Sequence, residues 1–88
     1  MKGLRITVTG KVQGVYFRAS ARSRALELGL SGFARNEPDG KVCIEVEGDE
    51  TSLESFVQWC KVGPSRARVE QMRIEDQTVK AFFGFEIK

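Results

Sequence analysis

The sequence predicts an α+β fold in which two helices lie on one face of a mostly antiparallel sheet. Three observations support this prediction: an alternating segment precedes a helical pattern, two alternating segments joined by a turn follow, and a second helical pattern leads to the last strands. Two helices separated by a hairpin fit the split β-α-β, ferredoxin-like order βαββαβ, with four or five strands. A chain of 88 residues suffices for one domain, which we expect to span residues 1–88.

The first elements are a strand and a helix. Residues 4–9 alternate apolar and polar side chains, which is the period of a half-buried strand, and this strand ends at Gly10. From Phe17 the apolar residues recur at helical spacing. Gly29 suits the left-handed residue that ends a helix, so the helix is predicted to end there.

A hairpin and a second helix follow. Residues 30–36 and 42–47 predict two strands, and residues 37–40, Glu-Pro-Asp-Gly, have the composition of the turn between them. Asp49 is a candidate N-cap for the second helix, because its short carboxylate can accept the first free backbone N–H groups. Gly63 and the proline that follows it are expected to end this helix.

The remaining residues predict two more strands. One begins near Ala67, and a shift in its apolar phase indicates a β-bulge near Gln71. Residues 75–80 read as a polar connection, and residues 83–87 as a last alternating strand. The phenylalanines expected in the core are Phe17, Phe33, Phe56, Phe83 and Phe85, with Phe33 and Tyr16 also considered as walls of a site.

The predicted topology brings two polar residues together. With right-handed crossovers, we expect the first and third strands to lie side by side and parallel at the centre of the sheet. The loop after the first strand and the end of the second strand then lie at the same edge. Arg18 and Asn36 are therefore expected to point at a common spot.

The composition of the chain argues against several classes of protein. A net charge of +2 is low for a dedicated nucleic-acid binder. No apolar run approaches a membrane span and the N-terminus lacks a signal-peptide pattern, so we expect a cytoplasmic protein without a membrane partner. Cys43 and Cys60 are predicted to face different sides of the fold and to be free thiols. Because histidine is absent, catalysis would depend on arginine, amides, carboxylates and water, and no metal site is expected.

The segment from Gly10 to Arg18 has the features of an anion site. Its glycines allow a bend in which backbone N–H groups converge, and the helix that follows adds unpaired N–H groups and the positive end of its dipole. The guanidinium of Arg18 matches a pair of phosphate oxygens and stays charged at neutral pH. The loop is therefore predicted to bind a phosphate.

Two motifs resemble those of a known family. Residues 10–18, GKVQGVYFR, are similar to the first acylphosphatase signature, G-x-V-Q-G-V-x-F-R, at every specified position. Residues 32–42, GFARNEPDGKV, resemble the second, G-[WF]-V-x-N-x-x-D-G-x-V, and depart from it only at Ala34. The similarity extends over nearly the whole chain, and two long motifs in order are more specific than one glycine-rich loop.

The resemblance implies a hydrolase that splits the carboxyl–phosphate anhydride of acyl phosphates without a metal or a cofactor. It implies that Asn36 holds the attacking water, and that inorganic phosphate is both a product and a competitive ligand. It also implies that the phosphoryl group is bound by Arg18 together with the backbone amides of Gln13, Gly14, Val15, Tyr16 and Phe17. Nothing in the sequence demands more than a monomer.

Three alternatives remain open. The same fold can bind single-stranded RNA across its sheet, although Glu45 and Glu47, predicted on the outer face of the third strand, would repel phosphates. The chain could also bind anions without hydrolysing them. A third reading is a carbamoyl-phosphate-handling module like those of larger hydrogenase-maturation proteins, which carry the same two signatures; the short length of the chain argues against it.

Overall fold

The computed structural model describes residues 1–88 and contains a five-stranded sheet and two helices. The elements are β1 (Lys2–Lys11), α1 (Phe17–Glu27), β2 (Ser31–Asn36), β3 (Val42–Gly48), α2 (Glu50–Val62), β4 (Arg68–Gln77) and β5 (Phe85–Ile87). The strand order is β4-β1-β3-β2-β5, with β5 parallel to β2 and every other pair antiparallel. The predicted α+β, ferredoxin-like fold is confirmed.

The expected parallel pairing of the first and third strands is wrong. β1 and β3 are antiparallel, with Ile6 opposite Ile44. The crossover through α1 makes β2 parallel to β1 but leaves a gap of one strand between them. The hairpin returns β3 into that gap, so β3 runs against both neighbours. The loop after β1 and the end of β2 still lie at the same edge, because β1 and β2 point the same way.

The core lies between the helices and the inner face of the sheet. Phe56 on α2 is fully buried, and burial of a side chain of this size stabilises the fold by about 2–3 kcal/mol. Phe17 on α1 packs against Trp59 with ring centroids 5.4 Å apart. Ala34, the residue that departs from the second signature, is also fully buried in this core. The sheet contributes Leu4, Ile6, Val8, Ala34, Val42, Ile44, Val46 and Phe85 to the core.

The predicted helix ends are confirmed. The Asp49 carboxylate accepts the N–H groups of Thr51 (3.1 Å) and Ser52 (3.3 Å), which satisfies two of the free donors that begin α2. After α1, Gly29 has a φ of 72°, and the N–H of Leu30 donates to the carbonyl oxygen of Ala25 at 2.9 Å. This left-handed turn ends α1 where the sequence predicts.

The last two strands differ in part from the prediction. The pairing of β4 with β1 shifts at Glu70, which lies next to Gln71, so the predicted β-bulge is present. Residues 75–77 are not a connection, because they continue β4 and pair with residues 3–5. The final strand begins only at Phe85, and Phe83 is 98% exposed rather than in the core.

A segment that we call the strap, residues 78–84, crosses the outer face of the sheet. Glu47 is buried beneath it, and its carboxylate accepts the N–H groups of Lys80 (2.8 Å) and Phe82 (2.6 Å). The Glu45 carboxylate accepts hydrogen bonds from Lys80 Nζ (2.8 Å) and Gln77 Nε2 (3.0 Å). The two acids lie on the outer face, as predicted, but the strap covers them.

The two cysteines are free and buried on opposite faces of the sheet, as predicted. Burial among apolar side chains raises the pKa of the Cys60 thiol and keeps it protonated. None of the helices has the length and apolar character needed to traverse a bilayer.

Candidate active site

The loop between β1 and α1 is fixed by alternating buried side chains. Val12, Val15 and Phe17 insert into the core and are 1–3% exposed. Between these anchors, Gly14 and Tyr16 face outward. Both have left-handed backbones, with φ of 73° and 63°. The loop therefore turns sharply while its path is held by the core.

The backbone N–H groups of this loop are free to bind a ligand. The N–H groups of residues 13–16 donate to no backbone carbonyl, and the first N–H groups of α1 have no acceptor within the helix. The first turn of α1 carries no acidic residue that would neutralise them. These donors and the helix dipole together favour a bound anion.

The structure brings most of the predicted site residues to one cleft of about 370 Å³. Its lining residues are Val12, Gly14, Tyr16, Phe17, Arg18, Ala19, Asn36 and Ile87. Arg18 arrives from the start of α1 and Asn36 from the end of β2, the two positions expected to meet at one edge of the sheet. Gln13 and Val15, also predicted in the site, do not line this cleft with their side chains.

Arg18 is held by an acceptor that sequence reasoning missed. Its Nη1 donates to the backbone oxygen of Lys88 at 2.8 Å, and the N–H of Lys88 donates to the carbonyl oxygen of Ala34 at 2.9 Å. A guanidinium carries five N–H donors, so this one bond orients the group and leaves the others available. The segment after β5 thus positions Arg18 at the cleft.

Asn36 has an unpaired acceptor. Its side-chain oxygen, Oδ1, is buried and accepts no hydrogen bond from any protein group. A buried polar atom without a partner is uncommon and marks a place where a water or a ligand donates. The Oδ1 of Asn36 is therefore an acceptor that no protein group uses.

Gln13 connects the loop to the hairpin that carries Asn36. Its Nε2 donates to the carbonyl oxygens of Glu37 (2.8 Å) and Lys41 (3.0 Å), at either end of the β2–β3 turn. The resemblance to the first signature implies a role only for the backbone amide of Gln13. The motif offered no signal for these side-chain bonds, since both acceptors are backbone atoms of a segment distant in sequence.

A larger groove of about 590 Å³ lies on the outer face of the sheet and contains none of the predicted site residues. Its lining includes Arg5, Lys41 and Arg73. Lys41 and Arg73 each lie within 4.0 Å of an acid. Nowhere in the molecule do three His, Cys, Asp or Glu side chains cluster as metal ligands would. The 370 Å³ cleft is thus the one that combines free donors with an unpaired acceptor.

Comparison with known proteins agrees with the two signatures. The family model described as Acylphosphatase matches residues 4–87 of the chain. The chain belongs to the acylphosphatase family. An acylphosphatase of Aeropyrum pernix is 52% identical to it over 86 residues, which cover 96% of this chain and 85% of that protein.

Solved acylphosphatase structures have the same fold. The crystal structure of acylphosphatase from Bacillus subtilis matches with a TM-score of 0.97 and 35% identity, covering 100% of this chain and 99% of the other. Full-length HypF in its phosphate- and nucleotide-bound form matches with a TM-score of 0.92 and 32% identity, but the match covers only 12% of that chain. The acylphosphatase fold therefore also occurs as a segment of a much longer protein.

Proposed function

We propose that the cleft hydrolyses the carboxyl–phosphate anhydride of an acyl phosphate by in-line attack of water. The activity is that of the acylphosphatase family to which the chain belongs. The water oxygen bonds to phosphorus while the bond from phosphorus to the acyl oxygen breaks. The electron pair of that bond leaves with the carboxylate, and the products are a carboxylate and inorganic phosphate.

Arg18 and the backbone amides of residues 13–17 hold the phosphoryl oxygens in this proposal. Several donors aimed at one spot stabilise the charge on these oxygens in the transition state, and loss of one such donor typically raises the barrier by about 3–4 kcal/mol. The free N–H groups of the loop and the orientation of Arg18 by Lys88 support this role. Inorganic phosphate is expected to compete for the same donors.

The single observation that carries the proposal is the unpaired Oδ1 of Asn36 beside this anion site. A water that donates to Oδ1 is held with a lone pair free to attack phosphorus. A carboxamide is too weak a base to remove the proton of that water. The proton therefore passes to a phosphoryl oxygen or to solvent.

The leaving group fits a site without a general acid. The conjugate acid of a carboxylate has a pKa of about 4, so the group departs as an anion without protonation at neutral pH. A phosphate ester would expel an alkoxide or a phenoxide, whose conjugate acid is weaker than a carboxylic acid, so its departure demands more assistance. The lining of the cleft contains no carboxyl or imidazole side chain that could act as a general acid, so the cleft is matched to anhydrides rather than esters.

We further propose that residues 1–88 form one domain that acts as a cytoplasmic monomer without nucleic-acid or membrane partners. The free thiols of Cys43 and Cys60 agree with a reducing compartment. The strap argues against RNA binding on the sheet, because it covers part of the outer face that RNA would need. The chain is 52% identical to its Aeropyrum relative but 32% identical to the matching segment of HypF, which favours the acylphosphatase over the maturation module.

The test compares benzoyl phosphate with p-nitrophenyl phosphate in the presence of a chelator. We expect anhydride cleavage that survives the chelator, and little ester cleavage. Arg18→Ala should weaken competition by inorganic phosphate, whereas Asn36→Ala should keep that competition while turnover falls at least a hundredfold. Arg24→Ala is the matched control, because Arg24 lies on α1 but pairs with Glu27 away from the cleft.

Two results would contradict this assignment. If the parent protein does not hydrolyse benzoyl phosphate, the proposed activity is wrong. If Asn36→Ala and Arg18→Ala weaken phosphate competition equally, the separate roles of the two residues are wrong.

A further inference from the structure

We propose that Tyr16 and Ile87 form a binding surface for the acyl group, so that this cleft favours acyl phosphates with an aromatic or bulky apolar acyl group over acetyl phosphate. The inference rests on the proposed function and names the substrate class of the same site. It depends on the backbone of Tyr16, on the exposure of two apolar side chains, and on their position in the cleft.

The backbone of Tyr16 is in an unfavourable conformation for its residue type. Tyr16 has φ 63° and ψ 25°, in the left-handed region that bulky residues avoid. The other positive-φ residues of the chain are eight glycines and Ala81. Tyr16 also caps α1 without any side-chain hydrogen bond, so capping does not explain the choice of tyrosine.

Packing does not explain the choice of tyrosine at this position either. The side chain of Tyr16 is 70% exposed, whereas its neighbours Val15 and Phe17 are 3% and 2% exposed. The aromatic contacts of the fold join Phe17, Phe33, Phe56, Trp59 and Phe82 in pairs, and Tyr16 belongs to none of them. An unfavourable backbone that holds an exposed ring at a cleft points to a function for the ring.

The lining of the cleft combines polar and apolar groups. Arg18, Asn36 and the loop amides provide the polar groups, which suit the phosphoryl group. Most of the remaining lining is apolar, but Val12 and Phe17 are buried and only support the floor. Tyr16 and Ile87, the latter 46% exposed, are the two large apolar side chains in the lining that a ligand can reach.

The acyl substituent therefore has a defined place. When the phosphoryl group occupies the amides and Arg18, the rest of the substrate must extend away from them, along the lining that Tyr16 and Ile87 contribute. An aromatic acyl group can stack on the Tyr16 ring and lose apolar surface to water, whereas a methyl group buries little. The preference for benzoyl over acetyl phosphate follows from this difference.

The experiment measures kcat/KM for benzoyl phosphate and acetyl phosphate in the parent protein and three variants. Tyr16→Asn removes the ring but tolerates the left-handed backbone, and Tyr16→Phe keeps the ring. We expect the benzoyl-to-acetyl ratio to fall about tenfold in Tyr16→Asn and by less than about twofold in Tyr16→Phe. Ile87→Ala should lower the ratio in the same direction.

Binding of unreactive ligands separates this proposal from the proposed function. Phenylphosphonate and methylphosphonate carry the same anionic end, and calorimetry reports their affinities without turnover. A parent protein that prefers phenylphosphonate, with the preference lost in Tyr16→Asn, supports the surface even if no acyl phosphate is hydrolysed. Hydrolysis with a benzoyl-to-acetyl ratio that Tyr16→Asn and Ile87→Ala leave unchanged would overturn the surface while the activity stands.

Discussion

Gly32 illustrates how one residue can decide whether two strands approach. Its φ is 151°, and a Cβ built there would lie 1.9 Å from the carbonyl oxygen of Glu45 on β3. In the sequence, Gly32 is only a glycine within the predicted strand of residues 30–36. The structure supplies the reason, which is contact between the two backbones.

We predict that Gly32→Ala destabilises the fold by about 3 kcal/mol or more, because the added methyl must displace backbone atoms of a central strand. Gly29→Ala is the control, since Gly29 has a left-handed φ of 72° but open space around its Cα. It should cost only about 1 kcal/mol of backbone strain. Urea unfolding measures both, and equal losses would show that strain rather than contact governs Gly32.

At the scale of elements, the side chain of Gln13 joins the anion-binding loop to the β2–β3 hairpin. We predict that Gln13→Ala lowers kcat about tenfold or more while inhibition by inorganic phosphate changes little. The backbone N–H of residue 13 persists in this variant, but the end of β2 loses its link to the loop, and a small misplacement of an attacking water is costly.

Gln77→Ala is the matched control for this prediction. Gln77 also donates a carboxamide N–H across a long sequence separation, to Glu45, but on the outer face and away from the cleft. Both substitutions should lower stability by about 1 kcal/mol. Steady-state kinetics should show a loss of kcat only for Gln13→Ala; a similar loss in Gln77→Ala would mean that general loosening causes the effect.

The strap is held to the sheet chiefly by Glu47, which is 1% exposed and binds two backbone N–H groups. We predict that Glu47→Ala lowers the free energy of unfolding by about 3 kcal/mol, because both N–H groups lose a charged acceptor. Glu54→Ala on the exposed side of α2 should change it by less than about 0.5 kcal/mol. Chemical denaturation distinguishes the two; a small effect at Glu47 would mean that water replaces its carboxylate.

For the whole molecule, Glu45 makes stability depend on acidity. Burial opposes ionisation of Glu45, but hydrogen bonds from Lys80 and Gln77 outweigh it and hold the pKa of the carboxyl below its ordinary value of 4.5. The stabilisation is complete above the unfolded-state pKa near 4.5 and is lost as pH falls through the lower native pKa. Acid therefore weakens the fold.

We predict that Glu45→Gln reduces the drop in Tm between pH 6 and pH 3, because it removes one group whose protonation opposes folding. Glu54→Gln should keep the full drop of the parent protein, since Glu54 is exposed on α2. Thermal unfolding followed by circular dichroism gives both values. A parent-like drop in Glu45→Gln would place the acid sensitivity elsewhere.

The whole fold was largely predictable, because its local signals agree. Periodicity found both helices and the hairpin, and the motif residues Arg18 and Asn36 do meet at one edge. The direction of β3 relative to β1 was missed, since apolar alternation is the same in either direction. The strap was also missed, because its polar residues are held by Glu47 rather than by an apolar face, and periodicity does not report such bonds.

The three-residue strand β5 has a consequence for how the protein loses activity. It lies at the sheet edge, supplies Ile87 to the cleft, and precedes the backbone oxygen that orients Arg18. Short edge strands open more readily than central ones, so warming or mild denaturant should release this segment in advance of the core. Inactivation would then precede unfolding of the core, and a molecule with intact helices could already be inactive.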